Sequence, residues 1–177
     1  MTSRVVYTIG YGGRSLNELL SVLSRFSIKA VIDIRRWTTS RRLPEYSNVS
    51  LPGTLREHGY DYYWLPELGG YRRFGVDVED YGIARCFKAE GFRAYATYIT
   101  MNPAVKKHLE RLVKVVSLKT STLLCRERVP WLCHRKILAD YLLVKGFTVL
   151  HIIEENKVVE HKLSKCAVNV NGELRYK

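Results

Sequence analysis

Val5-Val6-Tyr7-Thr8-Ile9, Gly10-Tyr11-Gly12-Gly13, the segment from Ser15 to Phe26, and Ala30-Val31-Ile32-Asp33-Ile34 together decide the fold. The first run is rich in β-branched residues and ends in glycines, the pattern of a strand followed by a turn. Ser15 then stands three residues before Glu18, which predicts a capping box at a helix start. Leu16, Leu19, Leu20, Leu23 and Phe26 recur at helical spacing. The run from Ala30 to Ile34 reads as a second buried strand. This is a βαβ unit, so the two strands are predicted to be parallel with a right-handed crossover.

The same alternation continues outward. Tyr60 to Leu65 is a third strand candidate inside a long irregular excursion from about Arg35 to Gly82, which carries Pro44, Pro52 and Pro66. Long loops in compact domains are often functional. A helix is predicted from about Phe92 to Thr100, and a second after Asn102 as cap and Pro103 in its first turn. Val105, Leu109, Leu112, Val113 and Val116 form the apolar face of that second helix. Thr120 to Leu124 reads as a strand ending at Cys125, Cys133 to Val144 as a helix closed by Gly146, and Thr148 to Ile153 as a strand. The expectation is a single α/β domain over residues 1–177, with a mainly parallel β-sheet flanked by helices. Its core spans about 5–153, and 154–177 is an irregular or hairpin tail. In such sheets the site lies beyond the carboxyl ends of the strands. Gly10 to Arg14, Asp33 to Trp37, Leu65 to Gly70 and Cys125 to Arg135 are therefore predicted to converge.

Composition sets outer bounds. With 177 residues, 46% apolar and 26% charged, the chain fits one globular domain. No stretch is long and apolar enough to span a bilayer, so no membrane partner is expected. The residues from Met1 lead directly into a strand pattern without the features of a signal peptide, which points to the cytoplasm. Cys86, Cys125, Cys133 and Cys166 do not read as a disulfide framework, although disulfide-rich hyperthermophile cytosols leave pairing open. The net charge of +12 implies a nucleic acid or another phosphate-bearing ligand as partner, against the plainer alternative of a basic, thermophile-like surface. The oligomeric state has no signature.

The richest segment is Cys125-Arg126-Glu127-Arg128-Val129-Pro130-Trp131-Leu132-Cys133-His134-Arg135. It sets one thiol at a strand end and another at a helix start, where unpaired N–H groups lower a nearby thiol's pKa and attract anions. Three readings stay open. Cys125, Cys133 and His134, with Glu127, could hold zinc, but this spacing is not a standard ligand pattern, so zinc is a candidate cofactor and not the favoured one. Cys125 or Cys133 could be a reactive thiolate, or the group an anion site with Glu127 as acid or base. Alternatively both cysteines are small buried hydrophobes beside a Glu127–Arg135 ion pair. A phosphatase-like cysteine loop is excluded, because Trp131 stands where its arginine belongs.

Asp33 and Arg35 lie two apart on a strand and so share a face. They are either partners in the site or an ordinary ion pair. Arg36, Arg41, Arg42, Arg72, Arg73 and Arg126 extend the cationic character, with Trp37, Tyr46, Tyr60, Tyr62, Tyr63, Trp64 and Tyr71 interleaved. Arginines with exposed rings grip phosphates and stack on unpaired bases, although part of Tyr60 to Trp64 must be core. Gly10-Tyr11-Gly12-Gly13 is not a dinucleotide fingerprint, but it permits close approach of Tyr11 and its neighbours to a ligand.

Thr8-Ile9-Gly10-Tyr11-Gly12, Val31-Ile32-Asp33-Ile34-Arg35, Tyr63-Trp64-Leu65-Pro66-Glu67-Leu68-Gly69-Gly70 and Leu124-Cys125-Arg126-Glu127 with Cys133-His134-Arg135 together resemble domain-of-unknown-function family 488. The resemblance runs from about Val5 to Ile152. It departs at Trp37 to Ser40, where the family typically has Pro and Ser after its Asp-x-Arg. The resemblance implies a compact prokaryotic α/β domain with Asp33, Arg35, Cys125, Glu127, Cys133, His134 and Arg135 lining one site. It implies no reaction. The leading expectation is a nucleic-acid or nucleotide-processing enzyme, a hydrolase or thiol-dependent enzyme. In it Arg35, Arg36, Arg126, Arg135, Tyr11 and Trp37 bind the ligand, and Cys125, Glu127, Cys133, His134 and Asp33 carry the chemistry. A non-catalytic nucleic-acid or protein binding module, and a thiol or zinc enzyme on a small anionic substrate, are the alternatives.

Overall fold

A computed structural model describes residues 4–177; Met1 to Ser3, part of the stretch read for a signal peptide, lie outside the described residues. The elements are β1 (Val5–Gly10), α1 (Leu16–Arg25), β2 (Ala30–Asp33), α2 (Leu51–Glu57), β3 (Asp61–Trp64), α3 (Glu90–Met101), α4 (Lys106–Leu118), β4 (Ser121–Cys125), α5 (Arg135–Val144), β5 (Thr148–Glu154), β6 (Lys157–Glu160), β7 (Ala167–Val170) and β8 (Glu173–Tyr176). Six strands form one sheet in the order β3-β2-β4-β1-β5-β6. All its pairings are parallel except β5 with β6, so the mainly parallel α/β architecture is as expected.

The βαβ opening forms as its sequence dictates. Ser15 Oγ accepts from the Glu18 N–H at 3.1 Å, and the Glu18 carboxylate accepts from the Ser15 N–H at 3.0 Å. Leu19, Val22 and Leu23 face the sheet and are buried. Each such side chain contributes about 1.5–3 kcal/mol through burial. They pack with Ile9, Val31, Leu124 and Ile152 of the strands and with Leu51 and Leu55 of α2. The opposite sheet face carries Ile32, Leu123 and Val149 against α3, α4 and α5. The result is a sheet between two helical layers.

Three features differ from the sequence reading. The excursion after Arg35 contains α2, with Pro52 in its first turn where a missing N–H is harmless. In the tail, read as irregular or hairpin, the difference is β6, which extends the main sheet; β7 and β8 form a hairpin turning at Asn171 and Gly172. Cys86 and Cys166 form a disulfide, although the four cysteines do not read as a disulfide framework and the sequence leaves their pairing open. The bond ties the loop before α3 to the approach to β7, contacts 80 residues apart that no local pattern predicts. No helix of the described residues is long and apolar enough to cross a membrane.

Candidate active site

The carboxyl ends of β1, β2 and β4 meet because these strands are neighbours in register. Gly10 pairs with Cys125, and Asp33 with Leu124. The backbone ladder continues past the strand ends, from the Tyr11 N–H to the Cys125 carbonyl (3.0 Å) and from the Gly12 N–H to the Arg126 carbonyl (2.8 Å). Above them opens a pocket of about 480 Å³, lined by Tyr11, Arg35, Arg36, Trp37, Arg41, Arg42, Tyr71, Cys125, Arg126, Glu127 and His134 among others. The segments predicted to converge after Gly10, Asp33, Leu65 and Cys125 all contribute.

At the pocket floor, Cys125 and Cys133 are buried and unpaired by any disulfide. Their sulfurs lie 2.8 Å apart, and Arg135 Nη1 donates to Cys125 Sγ at 2.8 Å. Burial disfavours the Cys125 thiolate, but the hydrogen bond from Cys133 and the charge of Arg135 outweigh it and hold its pKa below that of an ordinary thiol. Cys133 moves the opposite way: burial, then its bond to Cys125, push it well above the usual range. Thus the thiol nearer the helix start is the neutral donor, and the strand-end thiol is the acceptor. The first turn of α5 acts on the site through the Arg135 side chain more than through its N–H groups.

Arg135 is fully buried, and its remaining bonds go to Thr8 Oγ1 (3.1 Å), the Glu127 carbonyl and the Arg128 carbonyl (2.9 Å). No carboxylate of the described residues forms an ion pair with it. The expected Glu127–Arg135 ion pair is therefore replaced by a bond to the Glu127 backbone. The Glu127 side chain is left at the rim, facing both the main pocket and an adjoining one.

Asp33 has no exposed surface and takes a two-point bond from Arg35: Nε to Oδ1 at 2.9 Å and Nη2 to Oδ2 at 2.7 Å. Tyr62 OH donates to the same carboxylate at 2.6 Å, and Trp64 Nε1 donates to the Arg35 carbonyl at 2.9 Å. The planar guanidinium is held edge-on by its carboxylate partner and lies 5.1 Å from the Tyr11 ring. Tyr11 in turn stacks on Tyr46 at 4.2 Å. Asp33 thus lies beneath the pocket and orients Arg35, which reaches it. Much of the Tyr60 to Trp64 aromatic run goes to this support.

The mouth is built from the excursion after β2. Trp37 and Tyr71 are 61% and 67% exposed, with ring centroids 5.7 Å apart. Arg36 lies 4.9 Å over Trp37, donates to the Tyr71 carbonyl and pairs with Asp77. Tyr71 has φ +59°, a left-handed conformation that a bulky residue adopts at a cost and that is concentrated at functional sites. Arg41, Arg42 and Arg126 are exposed around the opening. Next to Tyr71, Gly70 lies so close to the His134 ring that a Cβ would meet Nδ1 at 2.8 Å. His134 bonds through Nε2 to the Ile34 carbonyl at 3.2 Å. Burial pushes its pKa down to about 4, so its ring is neutral near pH 7.

The two cysteine sulfurs and a Glu127 carboxylate oxygen lie within 4.8 Å of one another. His134 is outside this group, and its Nδ1 stands 3.7 Å from Cys133 Sγ. Arg135 already supplies positive charge at Cys125, and a metal cation there would be repelled by it. The donor set suits a thiolate held by a guanidinium better than a zinc centre.

Residues 15–142 match the family described as Domain of unknown function DUF488. The chain belongs to this family. The DUF488 match covers well over half of the chain and includes every motif residue lining the pocket except Tyr11. No curated protein and no solved structure matches the chain. Asp33, Arg35, Cys125, Glu127, Cys133, His134 and Arg135 fall in one cluster, with Asp33 and Arg135 beneath its surface. Gly70, from the segment predicted to converge after Leu65, also lines the pocket, as do Thr39, Ser40 and Leu43, for which sequence carries no signal beyond their loop position.

Proposed function

We propose that the chain is an enzyme that acts on a nucleotide or nucleic-acid substrate, with Cys125 as thiolate nucleophile. The observation that carries this reading is the 2.8 Å contact from Arg135 Nη1 to Cys125 Sγ at the floor of an arginine-lined pocket. A buried guanidinium with no carboxylate partner calls for a negative group, and the thiolate supplies it. Arg35, Arg36, Arg41, Arg42 and Arg126 hold phosphates, and Trp37 and Tyr71 offer ring faces to a base. Cys125 Sγ attacks an electrophilic atom of the substrate as the leaving group departs, and water then cleaves the resulting bond to sulfur, releasing product and restoring the thiolate. Glu127, at the rim, exchanges the proton, Cys133 donates to the thiolate, and Asp33 positions Arg35. His134, neutral and tied to Ile34, packs the wall. The net charge of +12 steers anionic ligands to the surface. The setting is cytoplasmic, which together with the Cys86–Cys166 disulfide fits a disulfide-tolerant cytosol of the hyperthermophile kind.

A second reading rests on the bonds from Arg135 to two backbone carbonyls. In it the cluster is a structural knot and the pocket only binds. Incubation with nucleotides and short single-stranded DNA and RNA, read by mass spectrometry, separates the two. The enzyme reading expects a product with wild-type protein, none with C125S, and a loss of about 10²–10⁴-fold with E127Q, with binding kept in both variants. Equal product formation by C125S would overturn the nucleophile, and binding without product from any member would favour the module.

A further inference from the structure

Arg135 is a fully buried cation without a carboxylate in contact, and thiolate character at Cys125 answers only one edge of it. The other edge leads, through side chains far apart in sequence, to a buried carboxylate. Arg135 Nε donates to Thr8 Oγ1 at 3.1 Å, and Thr8 Oγ1 stands 2.6 Å from His151 Nδ1. His151 Nε2 stands 3.0 Å from His161 Nδ1, and His161 Nε2 stands 2.8 Å from Asp140 Oδ1. Tyr176 OH closes the far end on Asp140 Oδ2 at 2.8 Å.

The proton positions follow from the two ends. Asp140 Oδ1 accepts from the Ser164 N–H as well as from His161, so the His161 tautomer that fits carries its proton on Nε2 and accepts at Nδ1. His151 then donates from Nε2 and accepts at Nδ1, which Thr8 satisfies with its single hydroxyl proton. That leaves the Thr8 oxygen to accept from Arg135. Each bond points the same way, and each polarises the next. Thr8, His151 and Asp140 are buried, and the His161 side chain is 8% exposed, so the chain runs through low dielectric.

We propose that Thr8, His151 and His161 are positioning residues that connect Arg135 to Asp140 and so fix the guanidinium and its field against Cys125. The proposal rests on the reading of Cys125 as a thiolate. The geometry is rigid because Thr8 and His151 are register partners on β1 and β5, and Arg135 and Asp140 share α5. The circuit therefore runs from one helix, across two adjacent strands and through His161 just past β6, whose N–H bonds to the Val149 carbonyl of β5, back to the same helix. Burial, then the proximity of His161 and of Arg135, press His151 down to about 3, so it stays neutral as an acceptor from Thr8. The other titratable groups facing this ensemble are Glu127 and the neutral Cys133 beside Cys125, Arg14, on which the charge of Arg135 acts, and Lys136, on which Cys133 and Asp140 act. Thr8, His151, His161 and Tyr176 lie outside the matched residues 15–142, so the family match does not imply the circuit.

The test is a pH titration of thiolate ultraviolet absorbance, taken as the difference between each protein and the same protein carrying C125S, with melting temperature measured in parallel. Wild type is expected to titrate below an ordinary thiol. R135M removes the charge and raises the midpoint most. T8V, nearly isosteric, and H161L, an apolar replacement at a nearly buried position, are each expected to raise it by about 0.5–1 pH unit, lowering the thiolate-to-thiol ratio at a given pH by about 3- to 10-fold. If T8V and H161L change only the melting temperature while R135M raises the midpoint, the circuit is structural and the proposal is overturned, with the thiolate reading intact. If wild type titrates like an ordinary thiol and R135M does not move it, the thiolate reading itself fails.

Discussion

Gly10→Ala is expected to lower the melting temperature by about 10 °C or more, the largest effect of any single methyl group added at the pocket. A Cβ at Gly10 would stand 1.8 Å from the Glu127 carbonyl oxygen, 2.4 Å from its carbon and 2.8 Å from Arg128 Cα. All three are backbone atoms and cannot swing aside as a side-chain tip can. They are also held from the other side, since Arg135 donates to the Glu127 and Arg128 carbonyls. Relief requires moving β1 away from β4 at the Gly10–Cys125 pair, where the sheet is buried. That exceeds ordinary overpacking, which costs about 1–3 kcal/mol. Gly91→Ala is the matched control, because nothing lies within 4 Å of its added Cβ. Calorimetry on both variants decides, and a G10A protein melting with wild type would contradict the close approach.

The second large effect is expected from Arg135→Met. Methionine fills much of the same volume but leaves the Thr8 hydroxyl and the Glu127 and Arg128 carbonyls without their donor. Removing one partner from a buried charged network costs about 3–5 kcal/mol. In a chain of this size that lowers the melting temperature by roughly 10 °C. The Cys125 midpoint rises in the same variant, because burial then acts on the thiolate without the opposing guanidinium. Chemical denaturation measures the first effect. A variant as stable as wild type would mean that water or neighbouring groups satisfy the vacated carbonyls and that the cluster is not what holds the floor of the pocket.

These two residues also mark where sequence reasoning works and where it stops. The β1-α1-β2 unit is legible because its signals are local: β-branched runs, a leucine stripe and a reciprocal cap at Ser15 and Glu18. The parallel sheet follows from that alternation, and the site's location follows from the rule that loops after parallel strands converge. Asp33 with Arg35 is legible because alternate strand residues share a face. Tertiary pairings are another matter. Glu127 and Arg135 look like an ion pair in one dimension, but the guanidinium bonds to the Glu127 backbone. Cys86 and Cys166 carry no local signal that their loops meet. Thr8, His151, His161 and Asp140 are unremarkable singly, and their connection exists because β1 and β5 are adjacent under α5 and the pairing of β6 with β5 brings His161 alongside. The N–H groups of a helix start do not by themselves distinguish Cys125 from Cys133; the side chain of Arg135, reaching back to β4, selects Cys125.

The proposed binding of a phosphate-bearing ligand by the arginines over Cys125 is tested most directly by fluorescence titration of a short 5′-phosphorylated single-stranded oligonucleotide across a range of salt concentrations. Affinity is expected to fall with salt at about −0.7 in log–log slope per phosphate neutralised, and the double variant R41A/R42A to flatten the slope by about 1.4. Salt-independent binding, or a slope unchanged in R41A/R42A, would contradict it.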